Sequence, residues 1–572
     1  MPEGASGWTD KPGWTTQKFA VAAAHPLAAE AGAEMLRAGG TAVDAAVAVQ
    51  MVLTLVEPQS SGIGGGAFLL HWDGVQLQSY DGRETAPAAA DGQLFLRADG
   101  TVLSYQERVQ SGRAVGVPGA VRMLEMAHRQ HGRLPWARLF EPAIRLSEQG
   151  FSLSPRLFEA LNGNVALRQD ARAARFFFSA DGRPWPAGHR LRNPALAEVL
   201  RRIARDGSRA LHTGPIAADI VERVQRHPER PGRIDLADLQ GYEAKQREPI
   251  CTDWKVHFRV CGVPPPSSGH LAMMQILGML EHSPEHLPDQ PRPLVDGLPS
   301  ADWLHRYTEA ARLAFADRAM FVADPDFVAA PGGDWKTLLV PSYLARRAAT
   351  IGPRSMGVAS PGQPAPSQVS LAAQPEQPEH GTSHISIVDG EGRALSLTTT
   401  IEAAWGSHIM SDGGTGLAGG FLLNNQLTDF SERPADALGR PIANRVQPGK
   451  RPRSSMSPTL VFDRRDGRLL MSLGSPGGAA IIHFTAKTLI ATLDWGLEVQ
   501  QAIALPNFGS FNGPTVLESR RFPPATREAL HSRGHVVVET ELTSGLQALQ
   551  RREGGGWFGG ADPRREGVVI GD

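Results

Sequence analysis

One junction constrains this chain more than any other feature. A run rich in Ser, Pro, Gln and Gly, residues 355–380, stops at His380-Gly381, and strand-like sequence beginning with a threonine follows at once: EQPEHGTSHISIVDGEGRALSLTTT, residues 376–400. Ile385 and Ile387 alternate with His384 and Ser386, Asp389-Gly390-Glu391-Gly392 supplies turn chemistry, and alternation resumes from Ala394 to Ile401. The pattern predicts a β-hairpin whose first strand starts at Thr382. A turn centred on Gly390-Glu391 places Thr382 opposite Thr399, with Thr398 and Thr400 adjacent. The run before it has no periodicity and reads as a linker or mobile segment.

The rest of the chain gives that junction its surroundings. Residues 26–56 predict two Ala-rich helices split at Gly39-Gly40, the second so uniformly apolar that it must be buried. The glycine loop SSGIGGG at 60–66 follows, then the short strand AFLLHW, then a strand ending at Arg83 in a loop. Gly62, Gly64 and Ala67 match G-x-G-x-x-A, but that dinucleotide fingerprint needs strand, glycines, helix in that order, and here the order is helix, glycines, strand. A loop packed closely against neighbouring backbone is the preferred reading. Residues 120–150 and 190–226 read as mainly helical, and residues 251–281 as a strand pair, a Pro-rich turn and an apolar helix.

Composition excludes several classes. With 58 basic and 59 acidic residues, net charge −1, nothing favours nucleic acid or an anionic membrane, and the expected partner is a small molecule. No apolar run is long enough to span a bilayer, and the N-terminus lacks a basic region followed by an apolar core, so the expectation is a cytoplasmic protein. Cys251 and Cys261 are the only cysteines; they cannot form a disulfide scaffold or a four-thiolate site, and a single bridge between them stays open. The 18 histidines show no H-E-x-x-H spacing, so no metal and no other cofactor is implied.

A threonine hydroxyl is a weak nucleophile until a base takes its proton, and one solution is the residue's own α-amine, available only when that residue is N-terminal. Thr382 would therefore have to be exposed by cleavage, with the linker before it giving slack and the hairpin behind it giving a rigid mount.

A dozen ordered motifs from about residue 18 to the C-terminus carry a resemblance, among them HPLAAEAGAEMLRAGGTAVDAAVA, YDGRETAP, GTSHISIVD, LLNNQLTDF, KRPRSSMSPT, GSPGG and GADPRREG. Together they resemble the γ-glutamyltranspeptidase (glutathione hydrolase) family of N-terminal nucleophile hydrolases. The resemblance implies an α+β fold, a four-layer αββα sandwich in one globular unit. It also implies autocleavage between Gly381 and Thr382 into a large subunit, 1–381, and a small one, 382–572, with room for a homodimer of such heterodimers. Thr382 matches the nucleophile, Thr400 the threonine that hydrogen-bonds it, and Gly477 and Gly478 the amides that receive the oxyanion. Arg83 matches the arginine that grips a donor's α-carboxylate. Ser454 and Ser455 match carboxylate-binding hydroxyls, and Gln426 and Asp429 match partners of the α-ammonium. Asp562, Arg564 and Arg565 read as a structural ion network.

Two departures put the substrate in question. Glu402 stands where the family usually carries Asn, adding a carboxylate near the ammonium pocket, and TIEAAWGS resembles the cephalosporin-acylase-like and amidohydrolase-like branch. Residues 431–449, where members often carry a lid with an aromatic residue, contain no Tyr, Trp or Phe. The expectation is a γ-glutamyl transferase and hydrolase acting on glutathione or a related amide, with a glutaryl acylase or oxamate-type amidohydrolase as the alternative. A non-catalytic, uncleaved homologue is disfavoured by the intact Thr382, Thr400 and glycine pair.

Overall fold

Two antiparallel sheets of seven strands each, flanked by helices, form the α+β framework. The computed structural model describes residues 3–282, 293–366, 370–375, 377 and 381–572. The first sheet runs in the order Val568–Gly571, Ala20–Ala23, Ser383–Val388, Ala394–Thr400, Gly66–Trp72, Leu77–Gly82, Lys245–Arg247. The second runs Trp14–Thr16, Trp557–Ala561, Gln547–Arg551, Leu469–Gly474, Thr459–Asp463, Phe258–Gly262, Ile250–Trp254. Each sheet draws strands from both sides of the junction, so the halves of the chain are interleaved and not separate domains.

The expected hairpin lies at the middle of the first sheet, and its register differs from expectation by one residue. Ser383 pairs with Thr399 and Val388 with Ala394, so the strand begins one residue after Thr382. The reason is the turn. It holds five residues, 389–393, because the Asp389 carboxylate accepts from the N–H groups of Glu391 and Arg393 (3.0 Å each) and the Asp389 N–H donates to the Arg393 carbonyl at 2.9 Å. Gly392, at φ +81°, supplies the left-handed residue that closes it. An odd loop shifts the pairing by one, so Thr382 leads in beside Thr400 and not Thr399.

Alternation does set the faces. Ile385, Ile387, Leu395 and Leu397 join one core with the helices Pro26–Arg37 and Ala42–Val56. The second of these is buried along its whole length, as its apolar sequence requires, and begins with a capping box between Thr41 and Asp44. A second core gathers the helices Gly269–Glu281, Ala301–Phe321 and Ile481–Leu489 on strands of the second sheet. A third, smaller core holds residues of both sheets, including Ala22, Phe68, Leu460 and Leu549. Hydroxyls also cross between the sheets: Ser396 Oγ donates to the Leu473 carbonyl at 2.9 Å and Ser472 Oγ to the Leu395 carbonyl at 2.8 Å.

The glycine loop packs on the hairpin, as preferred over nucleotide binding. A Cβ on Gly65 would strike the Thr400 carbonyl, and one on Gly64 the Leu422 carbonyl. Cys251 and Cys261 are joined by a disulfide across neighbouring strands, which resolves the pairing left open by the sequence. Of the stretch read as linker, residues 367–369, 376 and 378–380 lie outside the described residues. Its described part forms no helix or strand, yet it is anchored: the Ala372 N–H donates to the Pro441 carbonyl and the Gln374 N–H to the Ala319 carbonyl, both at 3.0 Å. Among the described residues no helix is long and apolar enough to cross a membrane.

Candidate active site

The carbonyl of Gly381 is the point on which both threonines converge. Thr400, the last residue of its strand, accepts the Glu402 N–H on its hydroxyl at 2.8 Å and lies 2.7 Å from the Gly381 oxygen. Because a carbonyl oxygen can only accept, the Thr400 O–H is directed at the Gly381 carbonyl and polarises it. The Thr382 hydroxyl lies in close contact with the same carbonyl oxygen. Glu402 makes this arrangement by adopting φ +78°, rare for a residue with a side chain, while its own carbonyl accepts the Gly381 N–H. Asn425 Nδ2 and the Thr428 hydroxyl then hold the Glu402 carboxylate.

Nine of the ten candidate residues line one small cavity: Arg83, Thr382, Thr400, Glu402, Gln426, Asp429, Ser454, Ser455 and Gly478. Gly477 stands just outside its lining, at φ +134°, as the N-cap of a short 3-10 turn, Gly478–Ala480. The first N–H groups of such a turn have no partner within it, which leaves them available to a ligand. A side chain at Gly477 would meet the Phe484 ring at 2.6 Å.

A buried ion pair between residues far apart in sequence also lines the cavity. Arg83, 1% exposed, donates from Nη2 to Asp429 Oδ2 at 2.5 Å and to the Arg453 carbonyl at 2.8 Å, and from Nε to the Pro452 carbonyl at 3.0 Å. Gln426 Nε2 also donates to Asp429 Oδ2, at 2.7 Å. Arg83 and Asp429 are therefore each other's partners here. Glu84, also buried, lies 3.9 Å from the Arg83 guanidinium, and burial raises its carboxyl pKa to about 8. Ser455 Oγ accepts from Arg318 Nη2 at 2.5 Å, and Ser454 Oγ accepts the Met456 N–H at 3.1 Å.

Behind the junction lies a charge network that sequence reading missed. Glu3 accepts from the Ser60 hydroxyl at 2.8 Å and from Arg156, and lies 3.4 Å from Arg565. A Cβ on Gly381 would come within 2.6 Å of Glu3 Oε1, so the N-terminal arm reaches the junction itself. Glu57 completes the set: Ser383 Oγ donates to it at 2.9 Å and Arg156 Nε at 3.3 Å, and burial pushes its carboxyl up against the opposing pull of Arg156 and Arg565. Only the Arg565 end was legible, as part of the expected ion network. Arg564 fits that reading, joined to Glu518 at 2.6 Å and Asp562 at 3.1 Å. Nothing in the sequence links an N-terminal glutamate to residue 381, since the two meet only through the fold.

Among the described residues, His305, Glu309 and His535 form the one group with metal-ligand chemistry. Their donor atoms are already engaged: His305 Nδ1 faces His535 Nε2 at 2.7 Å, His535 Nδ1 faces the Thr515 hydroxyl at 2.8 Å, and Glu309 accepts from Arg312 at 2.6 Å.

This geometry has counterparts. The family model for γ-glutamyltranspeptidases matches residues 28–572. The chain is 34% identical over 562 residues to the glutathione hydrolase proenzyme of Bacillus subtilis strain 168, covering 96% of this chain and 91% of that one. It is 31% identical over 578 residues to the acylase ACY 1 proenzyme of Pseudomonas sp. strain V22, covering 100% and 96%. In structure it superposes on cephalosporin acylase from Bacillus halodurans with a TM-score of 0.83 at 26% identity, over 99% of this chain and 97% of that one. The chain is an enzyme of the N-terminal nucleophile hydrolase class and belongs to the γ-glutamyltranspeptidase family.

Proposed function

We propose that the chain is a proenzyme that cuts itself between Gly381 and Thr382 and then hydrolyses or transfers γ-glutamyl groups. The observation that carries this reading is the pair of threonine hydroxyls on the Gly381 carbonyl. In maturation, Thr382 Oγ attacks that carbonyl carbon, the peptide nitrogen departs as the free α-amine of Thr382, and water hydrolyses the resulting ester to leave a Gly381 carboxylate. In turnover, the new amine takes the Thr382 hydroxyl proton and Oγ attacks the donor amide. The N–H groups of Gly477 and Gly478 receive the oxyanion, and the leaving amine carries the proton away. Water or a second amine then takes the acyl group.

Arg83, Ser454 and Ser455 would take the donor's α-carboxylate, and Asp429, Gln426 and Glu402 its α-ammonium. A zwitterionic head group would insert itself between Arg83 and Asp429, exchanging one buried ion pair for two. Supporting the αββα sandwich are the helix cores on the outer faces of two sheets that share a third core. Cleavage at that bond would give pieces of 1–381 and 382–572.

A second reading, an acylase for a glutaryl or oxamate amide, is favoured by one observation: the likeness extends over nearly the whole chain to an acylase proenzyme and to cephalosporin acylase. Turnover of γ-glutamyl, glutaryl and oxamate anilides side by side separates the two. The first reading predicts the γ-glutamyl donor fastest; faster glutaryl or oxamate turnover would replace it with the second.

A further inference from the structure

Glycine is the most freely jointed residue in a chain, and a peptide carbonyl that is to be attacked has to be held still. Gly381 is held on three sides. Its N–H donates to the Glu402 carbonyl, and its own carbonyl oxygen accepts the Thr400 O–H at 2.7 Å. Its Cα faces a wall, where a Cβ would meet Glu3 Oε1 at 2.6 Å and the Glu402 carbonyl at 2.7 Å. Thr400 and Glu402 come from the end of the neighbouring strand and the residues just after it. Glu3 comes from the opposite end of the chain.

The Glu3 carboxylate is fixed where it stands. Its side chain is 6% exposed and accepts from the Ser60 hydroxyl at 2.8 Å and from Arg156, with Arg565 at 3.4 Å. Arg156 Nη1 also donates to the Gly4 carbonyl at 2.8 Å. Behind it the arm lies along the C-terminal segment: the Ser6 N–H donates to the Arg564 carbonyl at 3.0 Å, the Thr9 N–H to the Pro563 carbonyl at 2.8 Å and Lys11 Nζ to the Arg565 carbonyl at 2.8 Å. A buried ion pair adds little net stability over an apolar filling of the same volume, so its use here is geometric. Two guanidiniums and a hydroxyl set the carboxylate oxygens more tightly than packing would set an apolar side chain. Glu3 does not line the Thr382 cavity, so it stands on the other side of Gly381 from any donor.

We propose that Glu3 is a positioning residue for self-cleavage, its carboxylate pinning Gly381 so that the scissile carbonyl stays on the two threonine hydroxyls. The proposal rests on the self-cleavage reading. The step it serves is the first: the bond from Thr382 Oγ to the Gly381 carbonyl carbon forms, the C–N bond breaks, the hydroxyl proton passes to the departing amine, and an ester replaces the amide. Glu3 takes no proton and forms no bond. It acts through Gly381, and Ser60, Arg156 and Arg565 act through it.

The test follows full-length chain made by cell-free synthesis, with the divided fraction read on a denaturing gel over time. Glu3→Gln keeps the shape but turns an amide toward two guanidiniums; Glu3→Asp keeps the charge but falls one methylene short of Gly381. Both should divide about tenfold more slowly than the wild type. A wild-type rate in Glu3→Gln would overturn the proposal, and so would one in Glu3→Asp, because charge in the network would then suffice without the contact. Hydroxylamine, whose nitrogen attacks an ester carbonyl and expels the threonine oxygen, should leave both variants slow. Restoration to the wild-type rate would place Glu3 at ester hydrolysis and overturn the positioning role. If the Glu3 variants yield no soluble chain, Ser60→Ala decides: it removes the hydroxyl that holds Glu3 and should slow division at least about threefold. An unchanged rate there overturns the proposal. A wild-type chain that never divides would overturn the self-cleavage reading and this proposal with it, whereas division of the wild type beside unaffected variants would overturn this proposal alone.

Discussion

The two sides of the cavity are built in different ways. The nucleophile side is a continuation of a sheet: Thr382 and Thr400 emerge from neighbouring strands whose ladder sets their separation, and backbone groups of Gly381 and Glu402 do much of the positioning. The head-group side has no such ladder. It depends on Arg83 and Asp429, 346 positions apart, meeting as a buried ion pair supported by carbonyls of the segment before Ser454. On the proposed function, chemistry common to many acyl donors sits on the rigid element, and recognition of one donor sits on loops. The lesson is that the substrate can change by substitution on one side while the reaction stays fixed on the other.

Substitutions should therefore act differently on the two sides, and the largest effect belongs to the nucleophile. Thr382→Ala should abolish turnover of every donor, whereas Thr382→Ser, which keeps the hydroxyl and loses the methyl that restricts its rotamer, should retain a measurable part. Activity on any donor in Thr382→Ala would dissolve the distinction. Arg83→Ala should lower kcat/KM at least about tenfold for donors with an α-carboxylate and much less for donors without one, because removing one member of a buried charged pair costs about 2–5 kcal/mol. Equal losses on both donor types would make Arg83 a structural residue.

Glu3 sharpens the comparison from behind the junction. Glu3→Gln should slow conversion of precursor by about tenfold, a barrier change of about 1.4 kcal/mol, as followed by densitometry of a denaturing gel. Unaltered conversion would show that the arm is only packed there. The smallest effect concerns Glu84. Between its ordinary value of 4.5 and about 8, the folded protein retains a proton that the unfolded chain has released, so Glu84 lowers stability progressively as pH rises through that window. Glu84→Gln should accordingly raise Tm at pH 8 by about 1 °C or more and leave it nearly unchanged at pH 5. A gain of equal size at both pH values would remove the titration argument.

What could be read from the sequence follows the same division. The hairpin, the buried Ala-rich helix and the faces of Ile385 and Ile387 follow from local periodicity, and the motif resemblance named eight residues that do share a cavity, with its departure at Glu402 a ninth. The register failed by one because a side chain, Asp389, fixes the turn length, and pattern alone does not count such a brace. Glu3, Arg156 and Glu57 were not legible at the junction, since a charge network among positions 3, 57, 156 and 565 leaves no spacing to detect. Arg453 stood in a quoted motif, yet only the fold shows its carbonyl accepting from Arg83.

The central claim is that Thr382 becomes the N-terminus of a small subunit through its own chemistry. Intact mass of the purified wild-type chain after incubation, beside Thr382→Ala, tests it most directly. The account predicts two wild-type pieces whose masses correspond to residues ending at Gly381 and beginning at Thr382, and a single undivided chain for Thr382→Ala. A wild-type chain that stays whole, or the same two pieces from Thr382→Ala, would contradict it.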